Sequence, residues 1–216
     1  MADTQSLVSD VKLFLERLKK DLPEVFGTPT QTSVQEGAQA DAKAPIISGN
    51  QVLFNGGLFP AKIYVTPDQE EGVEFDGNIF HVYLAAQTAD PSALVTAWLR
   101  NKAREVLPEK VKAWAEKIGV EYNQIFIKDQ QTLWASCSGK KNLNFSYRII
   151  KMPLAVQDYL VVHELCHLVH MNHSPEYWAL VAQFCPDYKQ HRKWLNTNKD
   201  AIFAEVSLTY QPEENQ

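Results

Sequence analysis

The chain has 216 residues, 45% hydrophobic and 22% charged, with a formal net charge of −5. This is a globular composition with enough length for a substantial core, and its charge gives no overall pull toward nucleic acid or anionic lipid. Three cysteines, Cys137, Cys166 and Cys185, with no C-x-x-C pair, exclude a disulfide framework and a cysteine-cluster zinc site.

The opening MADTQSLVSDVKLF carries acidic residues and lacks the apolar core of a signal peptide, and no later run approaches the ~20 apolar residues of a membrane span. The expectation is a cytoplasmic protein with reduced thiols and no membrane partner. Leu7, Val11, Phe14, Leu15, Leu18 and Leu22 recur at helical spacing, which predicts an amphipathic helix within residues 1–26. Such a helix packs on the main domain, binds a partner or covers the active site as a lid. Residues 27–45 turn to Gln, Thr, Ala, Gly and Ser and read as a flexible linker.

Over residues 46–90, Gly49-Asn50, Asn55-Gly56-Gly57 and Asp76-Gly77-Asn78 punctuate runs such as AKIYV and IFHVYL, predicting an antiparallel β-meander with His81 on its surface. Residues 91–206 read as a helical, catalytic part. Asp90-Pro91 opens a helix that Pro108 interrupts, and a second segment stops at Gly119, with Trp98 and Trp114 in the core. Short strands follow at Ile125 to Lys128, Thr132 to Cys137 and Leu143 to Ile149, and Met152-Pro153 leads into the next helix. A strand edge beside that helix could pair with an extended peptide. Further on, Pro175 to Phe184 and Asp187 to Leu195 read as helices, with His191 on a solvated basic face beside Lys189, Arg192 and Lys193. Residues 207–216 read as a disordered tail.

The chemistry concentrates in HELCHLVHMNH, residues 163–173. Helical residues four apart lie about 40° apart around the axis, so the imidazoles of His163 and His167 can face one metal ion. Glu164 beside them is too awkwardly placed to share the metal and well placed to act as general base on a metal-bound water. His170, His173 and Glu176 compete for the next ligand position. His170 continues the face, but its Cα is roughly 10 Å along the axis from that of His163. His173 is preferred: Asn172 ends the helix in a left-handed conformation, Ser174-Pro175 starts a new one, and the corner between them folds back. Glu176, in the first turn of the following helix, is the runner-up. The helix is apolar nearly all round, so its His and Glu need partners in a buried setting, which a metal supplies.

The segment from Trp134 to Trp178 resembles the YgjP-like metallopeptidase family, small zincin-type domains related to SprT and spartan peptidases. The resemblance rests on the Trp134-x-Ser136-Cys137-Ser138 turn, the Asn142-Leu143-Asn144 strand, the helix from Asp158 through His163-Glu164-Leu165, and the Asn172-His173-Ser174-Pro175 corner. With WLRNKAREVLPEKVKAWAEKIGV upstream, it covers roughly residues 50 to 195. Where that family usually shows Arg-Trp-Gly-Ser-Cys-Ser, this chain has Leu133 and Ala135, losing a cation and a flexible backbone position. The resemblance implies an α+β, zincin-like metallopeptidase domain with small antiparallel sheets packed on an active-site helix. It supports one Zn2+ held by His163, His167 and His173, with Glu164 catalytic, acting on a peptide or protein substrate. Arg148, Tyr147, His170 and Tyr177 are the nearby candidates for stabilising the transition state. The alternative is a DNA-associated, SprT-like protease or zinc-binding factor acting on protein–DNA complexes. Lys140, Lys141, Arg148 and Lys151 form a modest basic cluster in its favour, and the acidic total stands against it.

Overall fold

A computed structural model describes residues 49–211. The N-terminal helix and linker expected over residues 1–45 lie outside them, as does the end of the expected tail. The first sheet begins with a hairpin of β1 (Gln51–Phe54) and β2 (Gly57–Val65). Asn55 and Gly56 both take positive φ, 47° and 82°, as a tight turn matched to strand twist requires. A second hairpin joins β3 (Gly72–Phe75) to β4 (Phe80–Leu84) through Asp76, whose carboxylate accepts from the Asn78 and Ile79 amides and pairs with His81.

The strand order β1-β2-β4-β3 corrects the expected antiparallel meander, because β2 and β4 are parallel. Burial explains the inversion. β4 sends Phe80, Val82 and Leu84 fully into the core and so takes a central place, whereas the half-exposed β3 takes the edge. The second sheet repeats the device. β5 (Ile125–Lys128), β6 (Ala135–Cys137) and β7 (Leu143–Ser146) are ordered β5-β7-β6, with the buried β7 central and parallel to β5. Both sheets are therefore mixed, within an α+β domain.

Between the sheets in sequence runs α1 (Pro91–Ile118). The Asp90 side chain accepts from the Ser92 amide at its start, and Gly119 at φ 79° closes its end. Pro108 lies inside this helix and does not split it. One missing backbone donor is outweighed by the continuous buried stripe on either side, Val106, Leu107, Val111 and Trp114 among it. Trp98 packs edge-on against Phe54 and Phe80 of the first sheet.

The strand expected to run on to Ile149 ends at Ser146, whose hydroxyl accepts from the Arg148 amide and starts a 3-10 helix, Tyr147–Lys151. Docked on it, the Asn55 and Gly56 amides donate to the Ile150 and Lys151 carbonyls. The metal-motif helix α2 (Leu154–Cys166) follows, then α3 (Pro175–Phe184) and α4 (Tyr188–Phe203). α4 outruns its expected end at Leu195 because buried Asn198 and Ile202 prolong the stripe of His191, Trp194 and Leu195. His191 is thus buried, not part of a solvated face. Residues 207–211, expected to be disordered, dock: Leu208 is buried, its amide donates to Ser92 Oγ, and the Thr209 amide donates to Asn50 Oδ1. No helix among the described residues is long and apolar enough to cross a membrane.

A candidate metal centre

His163 stands in the last turn of α2 and His167 is its C-cap. The helix stops at Cys166, not at Asn172, which does not take a left-handed conformation. The Val169 and His170 amides instead donate to the Cys166 carbonyl, so the chain turns early and brings His173 back over the helix end. Ser174 then caps α3, its hydroxyl accepting from the Tyr177 amide.

One ligand atom from each of His163, His167 and His173 lies within 4.8 Å of the others. His163 Nε2 and His173 Nε2 are 3.2 Å apart. Two nitrogens each about 2.0–2.1 Å from a tetrahedral ion would lie about 3.3 Å apart, so the observed spacing fits a shared divalent cation. The outer ring nitrogens of two of them face groups of the chain. His167 Nδ1 donates to the His170 carbonyl at 3.1 Å, and His163 Nδ1 faces the Tyr159 hydroxyl at 3.5 Å, leaving each Nε2 as the inward atom. Burial, reinforced by the neighbouring imidazoles and by Arg192, drives the His163 pKa down to about 3. Burial also lowers that of His167. Both rings are then neutral and available as donors at pH 7.

Glu164 is buried and makes no hydrogen bond or ion pair with another described residue. Burial alone pushes its carboxyl up to about 8. The charge of Glu164 bears on Cys137 of β6, whose thiol is raised to about 11, chiefly by burial. The edge strand of the second sheet packs against α2, the helix that carries this carboxylate.

The remaining sequence candidates separate. Tyr177 is buried between rings, stacked on His167 at 4.5 Å, and its hydroxyl donates to the His163 carbonyl at 2.9 Å. Its proton is committed to holding the helix end. Arg148 is buried in ion pairs with Asp129 and Glu205, and Tyr147 lies under the Arg100 and Arg148 guanidinium groups. Neither contacts the histidine cluster, so neither serves as the stabiliser expected of it. His170 contributes its carbonyl. Glu176 is exposed and outside the cluster, its carboxyl lowered chiefly by a hydrogen bond with Ser174. The basic cluster read from Lys140, Lys141, Arg148 and Lys151 dissolves, because Arg148 and Lys151 are buried and Lys151 Nζ donates to the Ile202 and Ala204 carbonyls.

Two residues of the site escaped the sequence reading. Tyr159 was legible in principle, since it precedes His163 by four and shares its helix face. Trp178, stacked on His173 at 5.4 Å, carried no such signal because α3 is a separate helix.

A family model described as YgjP-like, metallopeptidase domain matches residues 28–198. The match begins inside the stretch read as a linker. No curated protein and no solved structure matches the chain.

Proposed function

The chain belongs to the YgjP-like metallopeptidase family, and from that premise we propose that it is a zinc peptidase in which His163, His167 and His173 hold one ion and Glu164 is the general base. The observation that carries this reading is the convergence of three inward-facing imidazoles beside a buried carboxylate that has no hydrogen-bond or ion-pair partner among the described residues. Three nitrogen donors with the fourth position left to water or substrate suit catalytic rather than structural zinc.

When bound, zinc supplies polarisation of the scissile carbonyl and a water acidified to a pKa of about 7. The chain's own residues do the rest. Glu164 takes the proton of the attacking water on a carboxylate oxygen and returns it to the leaving amine. Burial raises this carboxyl in the metal-free chain, and the charge of a bound cation would favour the ionised form that accepts the proton. The outer edge of β6, unpaired among the described residues and packed on α2, offers backbone groups that align an extended peptide, as β-augmentation does elsewhere. Tyr177 and the His170 carbonyl hold the ligand rings and take no proton. The protein–DNA alternative draws less support from the folded chain, since two of its four cations are buried.

The test is cleavage of a peptide mixture by zinc-loaded full-length protein and by Glu164→Gln. Loss of turnover by about a hundredfold or more, with zinc content unchanged, is expected of a general base. Equal cleavage by both would remove Glu164 from the chemistry.

A further inference from the structure

A groove of about 670 Å³ opens beside the histidine cluster, lined by Trp178 of α3 and by Tyr188, Lys189, Arg192, Lys193 and Asn196 of α4. That volume falls in the range of about 300–1,000 Å³ typical of small-ligand sites. Trp178 joins it to the metal centre: its ring stacks on His173 at 5.4 Å and on Tyr188 at 5.2 Å.

The rim is cationic, and two of its cations lie over aromatic rings. The Arg192 guanidinium carbon sits 5.1 Å from the centroid of the Trp178 ring, and Lys189 Nζ 5.9 Å from that of Tyr188. Among the described residues neither forms an ion pair with a carboxylate, although the same chain pairs Arg100, Arg148 and Lys110 with acids. A guanidinium lying over an aromatic face has its orientation fixed while its N–H donors stay available for a planar, two-oxygen acceptor. Trp178 is thus shared, its ring contacting His173 and lying under the Arg192 guanidinium. An anion in the groove would therefore lie within about three residues, at about 3.3–3.6 Å each, of a bond held over the histidines.

We infer that this groove is a subsite for a carboxylate of the peptide substrate, clamped by Arg192 with Lys189 beside it. The inference rests on the peptidase reading and names the substrate class: peptides with an acidic side chain, or a free C-terminus, within about three residues of the scissile bond. The two sources share one chemistry, and the experiment separates them.

Peptide binding to zinc-loaded, full-length Glu164→Gln is measured by calorimetry, with Asp/Glu against Asn/Gln versions and free against amidated C-termini. One of the two carboxylates is expected to tighten binding by about tenfold, as a charge-assisted contact does, and Arg192→Gln to abolish the difference. Arg192→Glu should prefer the Lys version of the same peptide, a reversal that loss of packing alone would not produce. Affinity blind to carboxylates, no peptide binding, or an oligothymidine that displaces the acidic peptide would each overturn the subsite. Charge-blind binding together with Glu164-dependent cleavage removes the subsite alone. Charge-selective binding with no cleavage by the unmutated protein removes the hydrolysis alone.

Discussion

The His170 carbonyl accepts from His167 Nδ1 and so fixes the tautomer that leaves Nε2 inward, while the Tyr159 hydroxyl faces Nδ1 of His163 and helps orient that ring. Removing such a partner typically weakens metal affinity by about 10- to 100-fold, and the long 3.5 Å contact places Tyr159→Phe at the lower end. Competition with a chromogenic chelator should show about a tenfold weaker site; unchanged affinity would mean the hydroxyl does not orient His163. Glu164 gives a second test, in the metal-free protein. Its carboxyl titrates near 4.5 in an unfolded chain and at about 8 when folded. Between those values the folded state binds the extra proton, so the contribution of Glu164 to stability is present at low pH and lost as pH rises through about 8. Metal-free Glu164→Gln should thus exceed the unmutated protein in urea midpoint most at pH 8, the gap closing toward pH 5. A gap that widens on acidification would contradict the burial of this carboxylate. Spacing alone made the pair His163 and His167 legible, and the Asn-His-Ser-Pro corner pointed to His173. Arg148 and Tyr147 misled because nearness along the chain does not say which way a side chain faces: the 3-10 helix turns both toward Asp129, Glu205 and Arg100.

At the level of elements, the start of α2 is set by a hairpin turn remote in sequence. Asn55 and Gly56 donate to the Ile150 and Lys151 carbonyls, and Gln157 Nε2 donates to Asn55 Oδ1 and to the Met152 carbonyl. A Cβ on Gly56 would stand 2.9 Å from the Pro153 backbone, at a φ of 82° that L residues rarely adopt. Gly56→Ala should therefore cost about 2–3 kcal/mol, from left-handed strain and overpacking together. A urea midpoint equal to that of the unmodified chain would show that the turn shifts freely. Helix ends with chemical punctuation were readable: Asp90, Gly119 and Ser174 sit at the caps their types suggest. Strand order was not, because turn residues announce a reversal of direction but not whether the returning strand inserts between earlier ones. Burial decides that, and it moved β4 and β7 to the centres of their sheets. Pro108 misled in the opposite direction, its local rule overridden by long-range packing along α1.

For the whole molecule, the three histidines tie the end of α2 to the segment leading into α3, so a bound ion closes that region. Anything bound by the folded state alone adds RT ln(1 + [L]/Kd), about 4 kcal/mol at a free ion concentration a thousandfold above Kd. Chelation should lower the melting temperature of the full chain, and His173→Ala should remove most of that difference. An equal shift in the variant would place the ion elsewhere. The composition announced a globular core but not the two mixed sheets and the long helix between them in sequence that the described residues form, since charge and hydropathy totals carry no information on order. The central claim, three imidazoles on one ion with a fourth position open, is reached most directly by X-ray absorption at the zinc edge of the purified protein. Three imidazole nitrogens and one further oxygen at about 2.0–2.1 Å are expected. A sulfur at about 2.3 Å, the distance of a cysteine thiolate, or fewer than three imidazoles would contradict it.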